Sequence, residues 1–188
     1  MRKIPTLFVR DEAKRAKVTD RVTPGCEWVL AGEGVPTRKY DGTCVMFDGA
    51  LWWARREVKP GKTPPAGFVP LGTDDVTGKT VGWEPMAQSG WSRWHAEVLS
   101  GQNWDRGWKP GTYELCGPRV NGNPERLDRH DLLPHAAATS PPAMWTVERS
   151  WTVPEVVDLV RSVGGWGWEG IVWHHPDGRM AKLKAMDL

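Results

Sequence analysis

The stretch GEGVPTRKYDGTCVMFDGALWWARRE (residues 32–57) decides how the rest of the chain is read. Glycine and proline break its first third. Residues 43–48 and 51–57 then read as two strands, and Asp48-Gly49-Ala50 between them is a hairpin signal. GTYELCG (111–117) reads as another strand, EWVLAGE (27–33) as a strand, and TVGWEPM (80–86) as a short one. KPGKTPPAGFVP (59–70) reads as a loop from its proline and glycine content, and 118–142 as mostly irregular. SRWHAEVLS (92–100) suits a short helix. Thr152-Val153-Pro154-Glu155 is a capping box with proline in the first turn, so a helix is predicted over 153–163. GIVWHH and RMAKLKAM form a final hairpin across Pro176-Asp177-Gly178. These elements add up to an α+β fold built on antiparallel sheets.

A chain of 188 residues fits one domain, here 1–188, and is long enough to bury a real core. Its net charge of +2 gives no global field toward nucleic acid. The N-terminal segment 1–21 differs: Arg2, Lys3, Arg10, Lys14, Arg15, Lys17 and Arg21 stand against Asp11, Glu12 and Asp20. That excess has two readings, a footprint for a phosphate backbone or a solvated surface helix. Cys26, Cys44 and Cys116 are widely spaced, with no CxxC or Cys/His ligand spacing. The pattern points away from zinc and toward a reducing compartment. Neither a signal-peptide run nor a stretch long enough to span a membrane is present, so a cytoplasmic protein without a membrane partner is expected. Thirteen tryptophans are many. They read mainly as packing residues and not as a dedicated base-stacking platform.

Lys39 in Lys39-Tyr40-Asp41-Gly42 is the candidate nucleophile. A lysine attacks only as the free amine, and the ordinary lysine pKa of about 10.4 opposes that at neutral pH. Neighbouring cations oppose the ammonium form. Arg55, Arg56, Lys182, Lys184 and a bound metal are the candidates to supply them, and the same cations neutralise a triphosphate. The plain alternative is a turn lysine. Lys182 and Lys184 lie two apart in a strand and so share a face, opposite Ala181, Leu183 and Ala185. Two ammonium groups on one face suit a phosphoryl group in transfer, and they equally suit a solvated strand face. Glu114 (TYELCG) and Glu169 (GWEGIV) each sit in an apolar, glycine-flanked context. Each reads as a ligand for a ribose hydroxyl or hydrated Mg²⁺, or as a structural acid paired with Arg119 or another cation. Gly72 to Gly78-Lys79-Thr80 resembles a phosphate loop only superficially. Five residues intervene where four are needed, and a strand pattern comes next where a helix is needed. His174 and His175 point to opposite sides of a strand and read as edge or surface residues.

Taken in order, Lys39, Arg55, Glu114, Glu169 and Lys182 with Lys184 resemble the motifs of the covalent nucleotidyltransferases, which comprise ATP-dependent DNA and RNA ligases and mRNA capping enzymes. The resemblance spans 39–184. YELCGP and the opening RKIPTLFVRDE with RKYDGTCV are most similar to the small ATP-dependent RNA ligase 1 family. It implies an antiparallel-sheet-rich adenylyltransferase domain, ligase-like and without an OB domain, since the chain stops four residues after Lys184. The implied activity joins RNA 5′-phosphate and 3′-hydroxyl ends through a lysyl-AMP intermediate on Lys39, with ATP and Mg²⁺ or Mn²⁺ as cofactors. RNA is the implied partner, and no obligate protein partner is implied. Asp41 (followed by Gly42) and Glu169 would organise the metal. Arg55 and Glu114 would hold the ribose, Lys182 and Lys184 the α-phosphate, with Arg56 the substitute for Arg55. His135 and Trp145 are the candidates for stacking on adenine. An ATP-dependent DNA ligase, and a nucleotide- or RNA-binding module without turnover, are the alternatives.

Overall fold

The computed structural model describes residues 3–101, 107–146 and 149–188; Arg2 of the basic segment lies outside them. In chain order the elements are β1 (Phe8–Arg10), β2 (Val18–Val22), α1 (Glu27–Leu30), β3 (Val35–Lys39), β4 (Thr43–Phe47), β5 (Trp52–Val58), β6 (Val69–Thr73), β7 (Thr80–Pro85), α2 (Ser92–Ser100), β8 (Gly111–Cys116), β9 (Asp131–Pro134), α3 (Val153–Gly165), β10 (Gly170–His174) and β11 (Met180–Lys184). The fold is α+β, with antiparallel pairing throughout the named strands. By packing it divides into two compact units. One comprises 1–3 and 41–137; the other comprises 4–40 and 138–188.

The second unit holds a three-stranded sheet in the order β11-β10-β3, and the β1-β2 hairpin. The helix α3 starts as its capping box requires: the Thr152 hydroxyl accepts from the Glu155 N–H, and Glu155 accepts from the Thr152 N–H. The Arg149 guanidinium and the box hydrogen bonds hold the Glu155 carboxyl below the usual carboxylate range. Val156, Leu159, Val160 and Val163 recur at helical spacing and are all buried. They join Ile171, Trp173, Ala181 and Leu183 from the sheet, with Leu7, Phe8 and Trp28, in one apolar cluster. Each large apolar side chain, fully buried, stabilises the fold by about 1.5–3 kcal/mol.

The first unit holds a six-stranded sheet in the order β6-β7-β5-β4-β8-β9. Its core is Val45, Ala54, Tyr113, Leu115 and Leu132 from the sheet, with Met86, Val98 and Val120. Phe47, Trp52, Trp108 and Tyr113 form an aromatic packing group, as the composition suggested for most tryptophans.

Four local expectations differ from the structure. EWVLAGE is not a strand: Glu27–Leu30 is a single helical turn that buries Trp28 and Val29. A short continuous apolar run has no period that separates the two states. Gly32, at φ +79, ends the turn, with its N–H donating to the Val29 carbonyl. The approach to Lys39 is itself a strand, β3, which tolerates Pro36 because β3 is a sheet edge. Within 118–142 the edge strand β9 appears, ending on Pro134 for the same reason. The basic segment is a β-hairpin and not a helix. The Gly72–Thr80 stretch is the β6-β7 hairpin turn, continued by strand as its pattern indicates.

Candidate functional site

Lys39 ends β3, and Gly170 opens β10 beside it. Gly170 pairs on its other side with Lys184 of β11. One row across the sheet therefore reads Lys39, Gly170, Lys184. Glycine in the middle lets the β10 backbone lie close against β11, where a Cβ would meet the Leu183 carbonyl oxygen and Lys184 Cα, and Glu169, one residue earlier, receives both lysines. Its Oε2 accepts from the Lys39 ammonium and its Oε1 from the Lys184 ammonium. The Glu169 side chain is 7% exposed, against 20% for Lys39 and 28% for Lys184. Two cations on one buried carboxylate leave these three groups with net positive charge, an arrangement suited to an anion.

Lys182 lies on the same face, two residues before Lys184. Ala181 and Leu183 point the other way and are fully buried. The Lys182 backbone is fixed from outside the hairpin as well. Its N–H donates to the Pro5 carbonyl at 3.0 Å, and its carbonyl accepts from the Leu7 N–H at 2.8 Å. The lysine face thus rests on a rigid part of the sheet. The Pro5 and Leu7 contacts also give part of the N-terminal segment a structural task. So do two of its cations: Arg10 grips the buried Asp187 with both guanidinium nitrogens at 2.9 Å, and Lys17 caps the Met186 and Leu188 carbonyls. Lys14, Arg15 and Arg21 are exposed.

In the first unit, Glu114 is the centre. It is buried, and its Oε1 accepts from the Gly42 N–H at 3.1 Å. Its Oε2 meets His135 Nε2 at 3.0 Å, so its partner is a histidine and not Arg119. Gly42 is irreplaceable in shape: a Cβ there would lie 2.3 Å from the Leu115 carbonyl oxygen and 3.0 Å from Glu114 Cγ. Asp41 accepts from the Asn121 amide at 3.3 Å, and its N–H donates to Glu125 at 2.9 Å. The β4-β5 register puts Met46 opposite Trp53. By strand alternation Arg55 then shares the face of Cys44 and Glu114. Arg56 takes the opposite face, with Ala54, and lies 3.9 Å from the buried Glu84. Of the two arginines, Arg55 is the one on the face of Glu114.

Of the stacking candidates, Trp145 stacks on Trp151 at 5.5 Å. His135 has both ring nitrogens engaged, Nδ1 by the Thr112 hydroxyl at 2.9 Å and Nε2 by Glu114. Thr37 and His174 share a hydrogen bond, and His175 sits among Glu33, Asp177 and Arg179. Sequence reasoning misses Asn121, Glu125, Thr112 and Cys44 as neighbours of the site, and misses His135 as the partner of Glu114. Its only signal for them is the turn composition of VNGNPE around Asn121. Cys44 and His135 give no spacing signal at all, because only the sheet brings them to Glu114.

No protein-family model matches the chain, and no curated protein matches it significantly. Among the described residues, no helix is long and apolar enough to cross a membrane.

Proposed function

We propose that this chain is an ATP-dependent RNA ligase whose adenylyltransferase fold works through a lysyl-AMP intermediate on Lys39. The observation that carries the reading is the convergence of Lys39 and Lys184 on Glu169, with Lys182 on the same face. A turn lysine of no function would not be expected on a three-strand row whose centre is glycine. Lys39 gives up a proton, for which Glu169 is the carboxylate in contact; its free amine then attacks the α-phosphate of ATP, forms an N–P bond and breaks the α–β phosphoanhydride to release pyrophosphate. The AMP then passes to an RNA 5′-phosphate, giving a 5′–5′ pyrophosphate linkage. The RNA 3′-hydroxyl attacks that 5′-phosphate, forms the phosphodiester and releases AMP.

Each step moves negative charge, and the residues divide the work. Lys182 and Lys184 neutralise the α-phosphate from a fixed strand. Glu169 orients Lys39 and Lys184, and an entering phosphate competes with it for both ammonium groups. Glu114 and Arg55, on one sheet face, suit a ribose hydroxyl. Asp41 and Glu169 are hard oxygen donors of the kind Mg²⁺ takes. Both Glu169 oxygens are engaged by lysines, so a cation fits there only when phosphate draws the lysines away. Bound with ATP, Mg²⁺ supplies further charge neutralisation on the phosphates.

The test is the intact mass of the protein after incubation with ATP and Mg²⁺. An AMP-sized increase mapping to Lys39, and absent in Lys39→Ala, is the expected result. A folded wild-type protein that stays unmodified leaves a binding module as the better reading.

A further inference from the structure

We infer that Cys44, Glu114 and His135 form a binding site for a zinc-class divalent metal ion. The ligand set is built by sheet register. In the β4-β8 ladder Cys44 stands directly opposite Glu114. Thr112, two residues before Glu114, lies on the same face. The β8-β9 ladder sets Pro134 opposite Tyr113. The next residue, His135, therefore reaches the Thr112–Glu114 face, and its ring bonds to both. One sulfur, one carboxylate oxygen and one ring nitrogen result, all within 4.8 Å of one another.

The chemistry of this set is selective. Thiolate, imidazole and carboxylate together suit zinc, whereas Mg²⁺ and Ca²⁺ favour all-oxygen sites. Zinc ligands at about 2.0–2.3 Å in tetrahedral array lie roughly 3.3–3.7 Å apart. The His135–Glu114 separation of 3.0 Å is close to that, and a small movement of the half-buried Cys44 side chain brings in the sulfur. The supporting contacts are also those a metal site uses. The Thr112 hydroxyl holds His135 Nδ1 at 2.9 Å, so Nε2 is the nitrogen turned to the ligand set. The Gly42 N–H holds Glu114 Oε1, so Oε2 is the oxygen turned the same way. Glu114 is 8% exposed, which limits competition from water. Three protein ligands leave a fourth tetrahedral position for water or a substrate atom. The inference stands apart from the ligase reading, because it concerns metal binding in the absence of ATP.

The experiment is a cobalt titration of the full chain after chelator treatment, followed by zinc displacement. One cobalt per chain is expected, with the intense visible bands of tetrahedral coordination and a thiolate-to-cobalt charge-transfer band, both erased by zinc. Cys44→Ser should abolish the charge-transfer band, and Cys116→Ser should keep it. Thr112→Val, which leaves all three ligands in place, should weaken zinc binding about 10- to 100-fold. His135→Gln should lose the tetrahedral bands while far-UV circular dichroism shows the fold retained. Should Cys44→Ser fail to fold, Thr112→Val and His135→Gln decide alone. A folded wild-type protein that binds no cobalt, tetrahedral bands that survive in His135→Gln, or a charge-transfer band that survives in Cys44→Ser, overturns the site.

Discussion

Gly170→Ala tests how the lysine face is held together. Gly170 faces Lys39 on one side and Lys184 on the other. A Cβ at this position would lie 2.1 Å from the Leu183 carbonyl oxygen and 2.7 Å from Lys184 Cα, against about 3.4 Å for ordinary contact. Both obstacles are backbone, so no side chain can swing aside. The β10-β11 pair must part by about 1.3 Å at this point, or Gly170 must twist out of its ladder. Inserting one methyl into a packed site costs typically about 1–3 kcal/mol, and the rigid neighbour argues for the upper end. At about 3 kcal/mol, a chain of this size should melt roughly 6–12 °C lower. Chemistry should suffer separately. A shift near 1 Å in Lys184 relative to Lys39 is of the size that costs about 100-fold in rate. Thermal unfolding by circular dichroism gives the first number. Single-turnover self-adenylylation, at a temperature where the variant is fully folded, gives the second. A variant with wild-type melting would refute the packing argument. A destabilised variant with wild-type adenylylation would show that the spacing of the two lysines does not matter to the reaction.

Lys182→Ala and Lys184→Ala should each slow adenylyl transfer by roughly 100- to 1,000-fold, on the order of 3–4 kcal/mol of barrier, with a far smaller effect on urea unfolding. Wild-type turnover in both would make the lysine face a solvated one. Charge reversal at Lys14, Arg15 and Arg21, the exposed cations of the β1-β2 segment, should weaken RNA capture and make the remaining binding less sensitive to salt, while leaving the AMP adduct on Lys39 unchanged; gel-shift and intact-mass measurements separate the two, and unaltered RNA affinity would remove the segment from the interface. Lys17 is left out of that set because it caps the Met186 and Leu188 carbonyls. His95 supplies a pH dependence. It is buried against Trp52, its Nε2 has no hydrogen-bond partner, and burial pushes its pKa down to about 4 from 6.5. The unfolded chain then binds the extra proton between those values, so stability should fall as pH drops from about 6.5 to 4. That loss is at most about 3 kcal/mol. His95→Gln should flatten the slope in urea denaturation between about pH 5 and pH 7, and an unchanged slope would place the acid sensitivity elsewhere.

The parts of the fold legible in the sequence are those whose signals are local. Asp48-Gly49-Ala50, Pro176-Asp177-Gly178 and the Thr152–Glu155 capping box each fix a turn or a helix start within four residues, and all three appear where the pattern puts them. The failures share a cause. Trp28, Val29 and Leu30 are apolar in an unbroken run, so periodicity has nothing to read. Pro36 and Pro134 argue against strands until the topology reveals that β3 and β9 are edges, where a missing N–H goes unneeded.

The site divides along the same line. That Lys182 and Lys184 share a face follows from the two-residue period of a strand, and the buried Ala181 and Leu183 behind them agree with it. That Glu169 lies between Lys39 and Lys184 does not follow from any local rule. It needs β10 to be the central strand, flanked by β3 and β11, with Gly170 in register with both lysines. The Cys44, Glu114 and His135 group is more distant still from sequence reading, since two independent ladders must each hold a particular register to assemble it. A one-residue slip of β8 against β4 would leave Cys44 opposite a core residue, turn Glu114 into the apolar layer of Val45 and Ala54, and take Tyr113 and Leu115 out of it. Burying that carboxylate among apolar side chains without its Gly42 and His135 partners would cost several kcal/mol. The same two hydrogen bonds that shape the Glu114 site therefore also enforce the register of the six-stranded sheet.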